Sequence, residues 1–395
     1  MQSNKNFAER VDWPLAFLLF LFMAVSLIAI ASAQTTEQYV RNFVPYQAAW
    51  YVIGAGIITG VMMINSSLYK RAAYLLYGAG ILLLVALMLA PNGPGQIAEP
   101  VNGAQAWFRT PIANLQPAEL MKTVYILGLA RMITGHHGTH LIPSIRSDAA
   151  LLGKILAMMA LPLFLILQQP DLGTALVFIA ITAGIIVVSG ISWRLILPIF
   201  GGIAAFGALL LWMAIHMQDF LSDRLGLKPY MFARVYTWLN PYAYAENEGY
   251  NLVAAMKAIG SGELFGKGFM DREVYVPENH TDFIFTVIAE EFGFIGASLV
   301  IILFFMLIYR LTRIAIEMKD LFSMYVCTGI IAMITFHVFQ NIGMTIQLVP
   351  ITGIPLPFIS YGGSSLMGNM LAIGIVFGLR FHQKRRTGLT SDFSS

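Results

Sequence analysis

Trp13-Pro14-Leu15-Ala16-Phe17-Leu18-Leu19-Phe20-Leu21-Phe22-Met23-Ala24-Val25-Ser26-Leu27-Ile28-Ala29-Ile30-Ala31-Ser32-Ala33 contains no charged side chain and lies in an uncharged run from 13 to 34. A helix rises about 1.5 Å per residue, so about 20 such residues cross the roughly 30 Å of hydrocarbon in a bilayer. Comparable runs recur near 43–65, 73–91, 155–170, 172–191, 195–217, 292–309, 322–348 and 362–379. A further segment, 118–134, is apolar but carries Glu119, Lys122 and Arg131. Counting it gives ten spans, the eighth starting near Phe283 and including Glu290 and Glu291. Composition agrees: 57% of residues are hydrophobic and only 11% charged, more apolar surface than a soluble core of 395 residues buries. Ala31-Ser32-Ala33 faintly resembles a signal-cleavage site. The run is nevertheless long enough to cross and more spans follow, so the first span is read as retained.

Lys and Arg in the short loops set orientation. With the N-terminus cytoplasmic, the inner loops and ends receive Lys5, Arg10, Lys70, Arg71, Arg131, Arg146, Lys154, Arg194, Arg310, Arg313, Lys319, Arg380, Lys384, Arg385 and Arg386. The short outer loops receive only Arg41 and Arg109. The expected fold is therefore an all-α polytopic membrane protein of about ten transmembrane helices, both termini cytoplasmic, with a large extracytoplasmic loop between spans 7 and 8. It forms one domain over 1–395, with that loop at 219–282 and a polar, partly disordered cytoplasmic tail at 382–395. Four polar segments face outward: 92–117, Gln168-Gln169-Pro170-Asp171, 219–282 and 349–361. A structureless loop of more than about 15 residues is uncommon, so helices are expected near Arg234–Leu239 and Leu252–Ile259, the second along the interface.

Several classes are excluded or disfavoured. A net charge of +3 is too small to indicate nucleic acid. The single cysteine, Cys327, allows no intramolecular disulfide. His136, His137 and His140 cluster on the predicted cytoplasmic side among few carboxylates and read as a solvated loop, so no metal site is expected. No nucleotide cradle or nucleophile elbow is present.

Chemistry concentrates on the outer face. Pro277-Glu278-Asn279-His280-Thr281-Asp282-Phe283-Ile284-Phe285 places a carboxylate, an imidazole and a hydroxyl where a polar loop re-enters apolar sequence. An ionisable group at that depth costs at least ~2.5 kcal/mol and points to function. Glu119 and Lys122 share a helix face, and spacing does not choose between a structural ion pair and a diphosphate-binding lysine oriented by Glu119. Asp171 follows Pro170 at a helix start and reads as a cap. Of Glu290 and Glu291, a helix aims only one at the face of Asp282; one can line a polar cavity and the other pair with a base. Gly260-Ser261-Gly262 and Gly266-Lys267-Gly268 could approach an anion, with Lys267 neutralising a phosphate. Val349 to Ser365, with three prolines, three glycines and Ser360, is a stiff loop that either dips into a polar cavity or packs as a connector.

These motifs, in order, resemble the SEDS family of shape, elongation, division and sporulation proteins, the RodA and FtsW type. The resemblance rests on Gly103-Ala104-Gln105-Ala106-Trp107 with Gln116-Pro117-Ala118-Glu119-Leu120-Met121-Lys122; Gln169-Pro170-Asp171-Leu172-Gly173-Thr174; and Ala258 to Gly262 with Gly266-Lys267-Gly268. It extends to Pro277 to Phe285 with Glu290-Glu291, and to Asn341-Ile342-Gly343-Met344 followed by Pro350 to Ser365. Departures from the family pattern are Ala118 for Ser, Glu263 and Gln347 for Gly, and Asp271-Arg272-Glu273 for Gly-Thr-Gln. The last of these leaves the fine shape of the loop before Asp282 open.

The resemblance implies a peptidoglycan glycosyltransferase that polymerises lipid II on the outer face of the cytoplasmic membrane, with an essential acid matching Asp282. Inversion at the anomeric carbon calls for one displacement, with Asp282 as base for the acceptor hydroxyl and cations for the leaving diphosphate. Lys122, Arg109, Arg234 and Lys267 are the candidate cations; Trp107 can stack on a sugar or anchor at the interface; His280 can tune Asp282 or bond the loop backbone. A divalent cation could share the load, without a dedicated cage. The expected partners are membrane lipid and a class B penicillin-binding protein that supplies the transpeptidase, guessed to dock on spans eight and nine with the long loop. Val11-Asp12-Trp13 and the wording from Asn341 to Ser360 lie closer to the elongation branch, the RodA type. The rivals are a lipid II flippase, which would distribute charge through the bilayer depth and show paired repeats or broken helices, and a scaffold in which Asp282 is replaceable.

Overall fold

The computed structural model describes residues 7–34, 42–93, 95–100, 104–110, 114–139, 144–217, 229–247 and 249–391. Arg41, Gly103 and His140, and the stretch 218–228 of the long loop, lie outside the described residues. After a short helical turn at Phe7–Arg10 come α1 (Trp13–Ala33), α2 (Val44–Met63) and α3 (Ser66–Leu89), then a two-stranded antiparallel ribbon, β1 (Phe108–Arg109) with β2 (Asn114–Leu115). There follow α4 (Pro117–Thr139), α5 (Ile145–Gln168), α6 (Leu172–Val188) and α7 (Trp193–His216). The long loop holds α8 (Pro229–Leu239), a 3-10 turn at Pro241–Tyr244 and α9 (Tyr250–Ser261). The chain closes with α10 (Ile284–Glu317), α11 (Leu321–Thr345) and α12 (Gly363–Ser391).

Eight of these helices, α1–α3, α5, α7 and α10–α12, are long and apolar enough to cross a membrane. The 17-residue α6 and the charge-bearing α4 bring the number to the expected ten. Helices outrun the apolar stretches because backbone hydrogen bonding continues where hydrocarbon ends. Asn65 and Ser144 cap α3 and α5 well before their apolar runs begin. At the other end of the chain α12 continues to Ser391, so the polar tail is largely helical. His136 and His137 belong to the last turn of α4, not to a solvated loop; His136 is buried beside Ser147 of α5, and His137 bonds the Ser189 carbonyl at 2.9 Å.

The bundle is built around α4, α11 and α12. α4 packs on α3, α5, α11 and α12; α11 packs on α4, α6 and α10; α12 lies along α2. By contrast α7 is nearly all exposed, burying only Ile196 and Ala214. α9 packs on α10, and its Ala254, Ala255 and Ala258 join Val276, Phe283 and Met344 in a small separate core, instead of lying along an interface.

α10 is interrupted. Gly293 has φ 62° and ψ −159°, which divides a buried half-helix, 284–292, from the long remainder. The break frees carbonyls and amides inside the protein, and four of them find partners on the segment after α9. Lys267 and Gly268 N–H donate to the Glu290 and Glu291 carbonyls at 3.0 and 3.1 Å; Phe294 and Ile295 N–H donate to Glu263 and Leu264 at 2.9 and 3.2 Å. The approach is so close that a Cβ on Gly266 would sit 2.1 Å from the Glu291 carbonyl oxygen. Two departures from the family pattern fall in left-handed backbone, Glu263 at φ 47° and Gln347 at φ 63°, where glycine is unstrained. Gln347 is held there by reciprocal bonds with Trp238 of α8, each 2.9 Å.

At the end of the bundle away from Asp282, Asp12 caps α1 through Leu15 N–H and receives Arg310 of α10 at 2.9 and 2.6 Å. Arg380 of α12 stands 3.9 Å away and also pairs with Glu317. Asp12→Ala is expected to lower stability by about 3 kcal/mol, since it removes a cap and leaves a partly buried guanidinium unpaired. Asp12→Asn, which keeps the cap acceptor, should lose less; thermal unfolding in detergent compares the two.

Candidate active site

Asp282 sits two residues before the half-helix of α10, half-buried, in a loop turned by Glu278 at φ 52°. Its backbone neighbourhood is fixed. The carbonyls of His280, Thr281 and Asp282 accept, in turn, from Tyr361 N–H at 2.9 Å, Ser360 Oγ at 2.6 Å and Asn341 Nδ2 at 2.8 Å. Its carboxylate is different: among the described residues no donor bonds it. Gly353, at φ 72°, faces it so closely that a Cβ there would lie 3.3 Å from Oδ2. Burial, then the charges of Glu278 and Asp171, push the Asp282 carboxyl up to about 7. A carboxyl balanced near neutral pH, with no donor among the described residues, has the chemistry to take up a proton.

The walls come from elements far apart in sequence. Asp171 caps α6 through Thr174 N–H and Oγ1 at 2.9 and 2.7 Å, as its place after Pro170 leads one to expect, and also accepts from Gln116 Nε2 at 3.0 Å. Gln116 N–H donates to Ser364 Oγ, which donates to the Asn114 carbonyl, so β2 is fastened to the start of α12. Gly173 of α6 lies against Thr352 and Ile354 and has no room for a Cβ. His280 is buried, stacked on Phe43 with ring centroids 4.7 Å apart and near Tyr361. Burial holds its imidazole below the usual histidine range, against the nearby charge of Glu278.

The residues singled out from sequence separate into groups. His280 and Ser360 lie in the two segments bonded around Asp282, and the Ser360 hydroxyl is fully engaged, donating to Thr281 and accepting from Leu356 N–H at 2.8 Å. Lys122 is buried in the core: its ammonium donates to Glu119 Oε1 at 2.8 Å and stands 3.0 Å from His337 Nε2. Because His337 Nδ1 bonds the Met333 carbonyl, that nitrogen carries the proton, and Nε2 is the acceptor for Lys122. Lys267 is taken up by Glu273 and Glu290 at 2.9 and 3.0 Å; burial disfavours its charge, but the two carboxylates more than offset this and raise its pKa. Arg109 is exposed on β1 and paired with Glu99, Trp107 is half-buried just before it, and Arg234 is exposed on α8 with no ion pair among the described residues.

Glu290 and Glu291 are both buried and both paired with bases. Glu290 also accepts from the N–H groups of Glu273 and Val274, while Glu291 meets Arg272 at 3.2 Å and Ser32 Oγ. Two of the divergent residues, Arg272 and Glu273, thus complete a pairing network that holds the loop against the half-helix. Sequence reading missed His337, Gly353 and the donor role of Asn341. A signal existed: His337 and Asn341 are four apart in an apolar run, on one helix face. An apolar groove of about 430 Å³ between α6 and α11, lined by Gly184, Ala332, Phe336 and Phe339 among others, contains no titratable side chain and none of these residues.

Comparison with known proteins matches this architecture. The family model described as "Cell cycle protein", covering FtsW, RodA and SpoVE, matches residues 10–385. A probable peptidoglycan glycosyltransferase FtsW of Nitrosomonas europaea is 32% identical over 98% of this chain and 97% of its own length. The peptidoglycan glycosyltransferase MrdB of Escherichia coli K12 is 31% identical over 97% of both chains, and stage V sporulation protein E of Bacillus subtilis is 31% identical over 93% and 96%. Among solved structures, a chain of a peptidoglycan synthase complex that coordinates polymerization and crosslinking aligns with TM-score 0.76 at 28% identity, covering 95% of this chain and 98% of that one. The rod shape determining protein RodA of Thermus thermophilus aligns with TM-score 0.66 at 28% identity, covering 94% and 96%. With a family model spanning nearly its whole length and relatives above 30% identity end to end, the chain belongs to the SEDS family of FtsW, RodA and SpoVE.

Proposed function

We propose that this protein is a peptidoglycan glycosyltransferase that polymerises lipid II, with Asp282 as general base, on the extracytoplasmic face of the membrane. The observation that carries the reading is the carboxylate of Asp282, bonded by no donor among the described residues, held by its backbone and pushed up to about 7. In the reaction the acceptor sugar's 4-hydroxyl oxygen bonds to the donor's anomeric carbon as the bond from that carbon to the undecaprenyl diphosphate breaks. The hydroxyl proton passes to Asp282, and inversion follows from the single displacement. The diphosphate leaves with its charge met by cations, for which the exposed Arg234 and Arg109 are the accessible candidates. Trp107 offers an aromatic face for a sugar, and His280 borders the site. Lys122 and Lys267 already have carboxylate partners in this conformation, so a diphosphate would compete with Glu119 or Glu290 for them.

A class B penicillin-binding protein is the proposed partner, in line with the synthase complex that the fold resembles. We assign the elongation branch from the wording at Val11-Asp12-Trp13 and Asn341 to Ser360. The division branch is the second reading, favoured by the 32% identity to an FtsW. A flippase would pair broken helices across repeats; the break at Gly293 in α10 is of that kind, but no repeat accompanies it in the sequence.

The test is polymerisation of purified lipid II by the full chain with its class B penicillin-binding protein, read as glycan-strand length on a gel. Strands are expected. Their absence with both proteins folded and assembled would instead favour transport or scaffolding. Depleting the chain in its host should round the cells; filamentation would move it to the division branch.

A further inference from the structure

We infer that Asn341 is a positioning residue for Asp282, acting through a single side-chain amide that ties together the two irregular segments on either side of the carboxylate. The inference rests on Asp282 being the base. Asn341 is fully buried on α11 and its Nδ2 donates twice, to the Asp282 carbonyl and to the Ile354 carbonyl, each at 2.8 Å. Both partners are carbonyl oxygens, which only accept, so the orientation of the amide follows from chemistry: the nitrogen faces them.

What the two bonds hold is specific. Ile354 follows Gly353, the residue that faces Asp282 Oδ2, and Gly173 of α6 packs closely against Ile354. Asn341 therefore sets the distance between the segment bearing the carboxylate and the backbone that faces it. The other two bonds of the clamp, from Ser360 and Tyr361, come from the same proline-rich loop, so that they alone would let loop and carboxylate move together. Asn341 is the one member anchored in a membrane helix. Below it the half-helix of α10 ends at the Gly293 break, so continuity with the long part of α10 does not hold Asp282 in place. A rigid helix supplying the fixed point for a loop-borne catalytic group is the arrangement that an accurately held base requires.

The experiment compares native protein, Asn341→Ala, Asn341→Ser and Asp282→Asn as full chains in complex with the class B penicillin-binding protein, measuring kcat and KM for lipid II together with the thermal transition. Asn341→Ala is expected to lower kcat about 10–100-fold with KM within about twofold. Asn341→Ser, which restores one donor, should fall between Ala and native in kcat, and this graded recovery distinguishes positioning from general loss of folded protein. If Asn341→Ala does not fold, the serine variant decides alone: a lowered kcat at unchanged KM supports the proposal. Native kcat in a folded Asn341 variant overturns it, as does a loss carried entirely by KM. Native kcat in Asp282→Asn removes the base itself and the proposal with it; an inactive Asp282→Asn beside a fully active Asn341→Ala leaves the base reading standing and sinks only the positioning role.

Discussion

Asp282→Asn is expected to reduce glycan polymerisation by about 10²–10⁴-fold, the range a positioned general base contributes. The amide is nearly isosteric, so backbone bonds from Asn341, Ser360 and Tyr361 remain and only proton acceptance is lost. The pH dependence gives the same group a signature. The base form is the carboxylate, so the native rate should rise with pH and reach half its plateau near 7, following the carboxyl pushed up to about 7 by burial and by Glu278 and Asp171. Glu278→Gln removes one of the two repelling charges and should move that midpoint to lower pH. Stability runs the opposite way. The folded pKa lies above the ordinary value of 3.8, so the folded state binds more protons than the unfolded one, and stability from this group falls as pH rises from about 4 to about 7. At pH 8, therefore, Asp282→Asn should unfold no earlier than native protein, so that lost activity there is not lost fold. A variant that polymerises normally, or a native rate flat between pH 5.5 and 8.5, would remove Asp282 from the chemistry.

Lys122→Met is expected to cost about 3–5 kcal/mol, because it strands Glu119 as a buried charge among α4, α11 and α12. The side chains of Lys122 and Glu119 are only 2% and 3% exposed, and the second Glu119 oxygen has no bond among the described residues to soften the loss. Adding Glu119→Gln removes the stranded charge and should bring the thermal transition most of the way back. Activity of this double variant decides between the two roles that spacing left open. With the ammonium shut between Glu119 and His337, recovery of polymerisation to within about tenfold of native is the expected result. A double variant that folds and stays inactive would make Lys122 a ligand reached by a conformational change.

Much of this protein is legible in local sequence. Ten hydrocarbon-length segments, the helices inside the long loop and the cap at Asp171 follow from runs, periodicity and spacing, properties that neighbouring residues settle among themselves. Asp282 stood out because an ionisable group at a membrane edge is costly wherever the chain folds. The partners of those charges were not legible. Glu290 and Glu291 read as one cavity residue and one ion pair, yet both are paired, because the break at Gly293 brings the 262–274 segment beneath them. Lys122 and His337 are 215 residues apart, and Asp282 and Asn341 are 59 apart. Sequence by itself determined how many helices cross and which end gathers the reactive groups, since hydrophobicity and charge belong to each segment alone. Only the tertiary structure decided which carboxylates are paired and that no donor among the described residues reaches Asp282, since a hydrogen bond needs two groups within about 3 Å and packing alone brings distant segments that close.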